Sequence, residues 1–268
     1  MARRSIQQLE VALAAAKADV ERCERARQHD LYLADLVHRS MLPGRIQHAK
    51  VDIDVRYLPV ERVGGDYCQV LFPSDSDCYV TICDVSGHGI GPALLATRFS
   101  SEVRRLIFDQ RDPAEIVEGA NKFVIEHFCG TELQVSFFVM RLDFEAASLT
   151  YSGAGHPSPL LIRRGGGPIE VLRSQNLLIG VHEKCLSDSP EATKQVDRGD
   201  RLIIFTDGLP QTTNPKGESL GVEGVVRMAT VTCAGDLFDM ADCFLNHIES
   251  FRDSPPEDDM TLIVAEIT

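Results

Sequence analysis

At Leu42-Pro43-Gly44 the chain changes its period, and that change restricts the possible folds more than any other feature. Before it, residues 4–41 contain neither proline nor glycine and read as one long helix. Ile6, Leu9, Leu13, Ala16, Val20 and Cys23 fall alternately three and four apart, the a/d spacing of a coiled-coil seam. The same frame then meets Arg27 and Asp30 before it resumes at Ala34, Val37 and Met41. A seam broken by charge for one heptad predicts a marginal homodimer or an element that can rearrange. The other use of such a stripe is packing on the chain's own domain. Proline and glycine then stop the helix.

After residue 50 the pattern is one of short strands. Val51, Ile53, Val55 and Tyr57 alternate with polar residues, as a half-buried strand requires. Further strands are expected at 78–84, 134–142, 147–152, 158–163, 168–172, 200–206 and 260–267, with helices near 90–109, 113–128, 222–231 and 235–251. Strands and helices come in blocks joined by hairpin-length turns such as Arg164-Gly165-Gly166-Gly167. Blocked order predicts an α+β fold with largely antiparallel sheets, not a doubly wound parallel one. The division expected is a signalling helix over 1–43 and one globular domain over 44–268.

Composition narrows the function. Lys and Arg number 27 against 40 Asp and Glu, a net charge of −13. That sign argues against a nucleic-acid groove and against an anionic membrane surface, both of which need basic patches. The eight cysteines form no C-x-x-C pair, so a ribbon-type zinc site is not indicated. With no apolar stretch of 18 residues and no signal peptide, the expected compartment is the cytoplasm.

Four acidic spots share one grammar. Asp84 opens DVSGHG (84–89) directly after the apolar run CYVTIC, Asp66 follows two glycines in VGGDY, and Asp207 ends LIIFTDG. Asp258 and Asp259 stand just ahead of the last strand. Each carboxylate lies at a strand end, where a loop can turn it toward a shared cleft. Carboxylates gathered in one cleft repel and raise one another's pKa, a penalty that a divalent cation removes. All-oxygen ligation suits hard ions such as Mg²⁺ or Mn²⁺. Any one of these aspartates, taken alone, serves equally well as a turn residue.

LVHRSMLP (36–43), VGGDY (63–67), DVSGHG (84–89), YSGAGHP (151–157), IFTDGL (204–209) and DDMT (258–261) together resemble the SpoIIE-type branch of the PPM metal-dependent protein phosphatases, which includes RsbU-like regulators. The resemblance implies an α-β-β-α sandwich of two antiparallel sheets flanked by helix pairs, with two Mn²⁺ or Mg²⁺ ions between the sheet ends. It gives the metal-binding carboxylates to Asp66, Asp84, Asp207 and Asp258, with Asp259 substituting for or supporting Asp258, and a backbone carbonyl to Val85. The activity implied is hydrolysis of phosphoserine or phosphothreonine on a regulatory protein, such as an anti-sigma-factor antagonist, by a metal-activated water. It further implies a sensor or receiver domain upstream of the helix, as in the output half of a response regulator.

His88 is the candidate proton donor for the leaving alkoxide. His156, between Gly155 and Pro157, reads as the brace of a turn. Two positions depart from the family pattern: Gln69 where GGDxYD has a second aspartate, and Gln211 where TDGxxE has glutamate. Both read as charge removed near the site. They favour the rival expectation, a degenerate phosphatase fold used as an adaptor or partner-binding module.

Overall fold

A computed structural model describes residues 2–87, 89–128, 130, 133–232 and 235–268. The chain opens with helix α1 (Ala2–Met41), then strands β1 (Ile46–Gln47), β2 (Val51–Leu58), β3 (Tyr67–Leu71) and β4 (Asp77–Val85). A helix pair follows, α2 (Ile90–Phe108) and α3 (Pro113–Phe128), and then β5 (Val135–Asp143), β6 (Ser148–Ala154), β7 (Leu160–Ile162), β8 (Glu170–Val171), β9 (Ala192–Gln195) and β10 (Arg201–Phe205). The chain continues through α4 (Gly208–Gln211), α5 (Gly221–Thr232), α6 (Leu237–Phe251) and β11 (Met260–Ile267).

Two sheets result, ordered β1-β2-β11-β10-β7-β8 and β3-β4-β5-β6-β9, and every ladder between named strands is antiparallel. The alternation of side chains along each strand explains the layering. On β4, Cys78, Val80 and Ile82 face the six-stranded sheet, while Tyr79, Cys83 and Val85 face α2 and α3. On β10, Leu202 and Ile204 face the five-stranded sheet, whereas Ile203 and Phe205 pack against α5 and α6. Three apolar layers therefore alternate with two sheets, which is the α-β-β-α sandwich expected.

Helix ends obey local chemistry. Pro113 occupies the first position of α3, where its missing N–H is no loss. Asp236 caps α6 by accepting from the Phe238 N–H. The strands that the sequence pattern did not indicate are β1, β3 and β9. β9 reads Ala-Thr-Lys-Gln on a sheet edge, and β3 carries no clean alternation because helices cover one face and a sheet the other. The four-residue helix α4 was likewise not indicated; it follows TDG directly, where a turn was the simpler reading.

α1 meets the domain at its C-terminal end, where Met41 and Leu42 join the core and His38 is the helix's buried polar residue. Leu13 and Val20 are 57% and 68% exposed in the single chain. Among the described residues, no helix is long and apolar enough to cross a membrane.

Candidate metal centre

The inward faces of five strands change character at one end of the sandwich. Following the apolar residues along each face, the next inward position is Asp84 on β4, Ser136 on β5 and Thr261 on β11. On the same parity, Asp66 immediately precedes β3 and Thr206 immediately follows β10. Hydrocarbon thus gives way to carboxylate and hydroxyl groups without any change in strand direction.

Asp66 lies deepest and is buried. Its Oδ2 accepts from Thr206 Oγ1 at 2.8 Å and from Thr261 Oγ1 at 2.7 Å. Its Oδ1 is buried with no hydrogen-bond partner among the described residues. Burial first, then the charge of Asp84, holds this carboxyl well above the usual range. The two glycines before it are sterically required: a Cβ on Gly64 would overlap the Asp259 carboxylate, and one on Gly65 would overlap the Val85 carbonyl oxygen.

Asp84 is pushed up to about 7, by burial and then by Asp207, Asp258 and Asp259. Asp207 is raised by burial and by Asp258, against the favourable hydrogen bond from Gln211 Nε2 to its Oδ2 at 2.6 Å. Asp258 is half-buried and accepts the Asp259 N–H through Oδ1 at 2.9 Å. The Asp259 carboxylate faces the VGGD loop: Oδ1 accepts from the Val60 N–H at 2.8 Å and Oδ2 from the Gly65 N–H at 3.0 Å. Burial raises this carboxyl too. Val85 is buried, and its N–H donates to the Gly65 carbonyl at 3.3 Å.

Sequence and structure part at several residues. His88 lies outside the described residues. Gln69 is not in the cleft: it sits on the face of β3 opposite Cys68 and Asp66, where its Nε2 donates to the Ser100 carbonyl on α2 at 2.8 Å. The expectation that Gln69 lowers the charge near the site is thereby corrected, since period-2 alternation turns a residue three positions after Asp66 to the other side. Gln211, in contrast, touches Asp207 directly. His156 is buried, and its ring reaches Ser136 rather than the cleft.

His38 is a neighbour of the site that sequence reasoning quoted within LVHRSMLP but gave no role. Its Nε2 lies 3.2 Å from the Asp66 carbonyl oxygen, and its ring meets Tyr57 edge-on at 5.4 Å. Burial lowers its pKa. The signal available was a lone histidine in the last turn of a helix ending on an apolar motif.

The donor set fits a hard divalent cation. It consists of oxygen atoms only, one buried carboxylate oxygen lacks a partner among the described residues, and the cleft carboxyls are raised by burial and then by one another. Among the described residues, no three acidic, histidine or cysteine side chains lie close enough together to hold an ion as they stand.

Comparison with known proteins agrees with this geometry. The chain is similar over 193 residues, at 26% identity, to the phosphoserine phosphatase RsbP of Bacillus subtilis (strain 168), covering 69% of this chain and 46% of RsbP. The chain therefore spans just under half the length of that relative. Among solved structures, the SiaA-PP2C domain of Pseudomonas aeruginosa superposes with a TM-score of 0.78 at 19% identity, covering 92% of this chain and 98% of that one. RsbX in complex with magnesium superposes at 0.61 with 18% identity, covering 84% and 99%. The model of Stage II sporulation protein E (SpoIIE) matches residues 74–268, most of the chain and every site residue from Asp84 onward. This chain belongs to the SpoIIE family and carries its PP2C-type phosphatase fold.

Proposed function

We propose that this protein is a Mn²⁺- or Mg²⁺-dependent protein serine/threonine phosphatase whose substrate is a phosphorylated regulatory protein. The observation that carries the reading is the set of carboxyl groups from Asp66, Asp84 and Asp207, each raised by burial and then by a neighbouring aspartate, at the strand ends of a SpoIIE-family domain. Such an arrangement is unfavourable without a cation and well suited to one.

In this reading Asp66, Asp84, Asp207, Asp258 and the Val85 carbonyl hold two divalent ions. When bound, such ions neutralise phosphoryl charge and acidify a water. The remaining residues place these ligands. Thr206 and Thr261 fix one oxygen of Asp66 and leave the other free to bind. Gln211 orients Asp207. Asp259 ties the VGGD loop through two backbone N–H groups, so it supports Asp66 rather than replacing Asp258. His88 remains the candidate donor to the leaving serine oxygen.

Self-association through α1, supported by its exposed a/d residues Leu13 and Val20, and an upstream receiver or sensor domain, for which RsbP with more than twice the matched length is a parallel, complete the proposal. The adaptor reading now rests on Gln211 alone, because Gln69 faces away from the cleft.

The deciding experiment is release of phosphate from a phosphoserine protein or an aryl phosphate as Mn²⁺ is titrated. Wild type is expected to turn over only with metal. Asp84→Asn and Asp207→Asn are each expected to lose more than the roughly 10–100-fold typical of residues that merely support a ligand. Near-wild-type turnover by either variant at saturating Mn²⁺ overturns that ligand assignment, and an inert wild type favours the adaptor.

A further inference from the structure

We propose that His156 is a positioning residue for the metal centre: its imidazole spans the two sheets beneath the cleft and sets the separation of the strand ends carrying Asp84 and Asp207. The inference rests on the metal site proposed above and concerns a residue that site does not use.

The chain passes from one sheet to the other at this point. β6 ends at Ala154, and β7 begins at Leu160 in the opposite sheet. Gly155 adopts φ +63°, and a Cβ there would overlap the Leu178 side chain, so the crossing is tight. The backbone is pinned on both sides of the turn. The Gly155 N–H donates to the Asn176 carbonyl at 3.1 Å, and the His156 N–H donates to Ser174 Oγ at 3.2 Å.

The ring makes the connection between sheets. Nδ1 lies 2.8 Å from Ser136 Oγ, and Ser136 is the cross-strand partner of Asp84, so the two side chains stand on the same face of adjacent strands. Nε2 is buried without a hydrogen-bond partner among the described residues, and the ring lies near the Phe205 backbone. Phe205 ends β10 two residues before Asp207, and β7 pairs with β10 only as far as Ile203, so the ring occupies the edge where that ladder stops. One rigid imidazole therefore touches the neighbour of one ligand and the backbone leading to another.

The charge state matches the role. Burial lowers the His156 pKa to about 3, so the ring stays neutral and Nδ1 can accept the Ser136 hydroxyl proton.

The test is direct Mn²⁺ titration by calorimetry on the full folded chain, with thermal melting of the same samples. Ser136→Ala is expected to weaken Mn²⁺ binding by about tenfold, the range seen when a residue behind a ligand is removed. Ser136→Thr, which keeps the hydroxyl, is expected to restore it. His156→Gln, with an amide donor and acceptor, is expected to retain more affinity than His156→Leu. Wild-type Mn²⁺ affinity in Ser136→Ala and His156→Leu, with only the melting temperature lowered, overturns the positioning role and leaves a structural histidine. If His156→Leu does not fold, the Ser136→Ala and Ser136→Thr pair decides alone. A wild type that binds no Mn²⁺ overturns the metal site and this role together, an outcome distinct from the first.

Discussion

Along the inter-sheet face, the middle of the sandwich and its acidic end are built from the same strands on opposite terms. In the middle, Leu202, Met140 and Ile82 are almost fully buried among hydrocarbon. Two residues beyond the last apolar rungs of β4, β5, β10 and β11, the same faces present Asp84, Ser136, Thr206 and Thr261. Burial stabilises the first region and opposes the second, because a buried carboxylate is costly unless it is paired. The difference teaches that stability and function divide along the length of each strand, not between separate domains.

The strongest way to break this division is to swap the effects. Leu202→Ala is expected to cost about 2–5 kcal/mol of stability by leaving a cavity while the folded fraction keeps its Mn²⁺ affinity. Asp84→Asn is expected to do the reverse, losing activity while the metal-free protein becomes more stable. The sign follows from linkage. Native Asp84 keeps its proton to about pH 7, whereas an unfolded aspartate releases it near about 3.9. Between those values the native state binds more protons, so the contribution of Asp84 to apo stability falls as pH rises. The gain from Asp84→Asn is therefore expected to be largest near pH 8 and to fade toward pH 4, measured as the difference in melting temperature. A variant less stable than wild type at pH 8 would sink the repulsion argument.

The two glutamines sharpen the comparison on a finer scale. Gln69→Asp places a shorter, charged side chain under α2 where the Ser100 carbonyl wanted a donor. It is expected to cost about 1–3 kcal/mol without tightening Mn²⁺ binding. Gln211→Glu sets a carboxylate against Asp207 and is expected to lower the Mn²⁺ concentration for half-maximal activity a few-fold. If the metal titration moves for Gln69→Asp and not for Gln211→Glu, the assignment of faces is wrong.

Much of this was legible before the structure. Period-2 alternation located β2, the apolar run CYVTIC marked β4, and strand-end aspartates beside glycines pointed to the cleft. What stayed hidden was contact between residues far apart in sequence. Thr206 and Thr261 reach Asp66 from 140 and 195 residues away, and no local pattern announces that. Gln69 misled because the family motif was read as a string, while strand parity decides which of its residues can share a cleft. Asp258 and Asp259 are adjacent letters with different tasks, distinguishable only once the Val60 and Gly65 N–H groups are seen facing one of them.

The helix α1 offers the mildest test, because Leu13 and Val20 on its apolar stripe lie outside the sandwich. Forty residues at 1.5 Å per residue make a rod about 60 Å long, and its contacts with the domain come at the His38–Leu42 end. A helix of this kind gains its stability by burying an apolar face on a partner. Leu13 and Val20 remain open to solvent in the single chain, and the a/d spacing suits a second copy. Leu13→Glu is expected to lower the dimer fraction in sedimentation at tens of micromolar and to leave the melting of the sandwich unchanged. The route to the metal loop is short: His38 Nε2 faces the Asp66 carbonyl, so a change in helix orientation bears on the loop that holds a proposed ligand. A modest, few-fold change in turnover is therefore expected to accompany dissociation. A monomeric wild type removes the dimer. A dimer lost without any change in turnover leaves α1 as a tether and His38 as a simple packing contact.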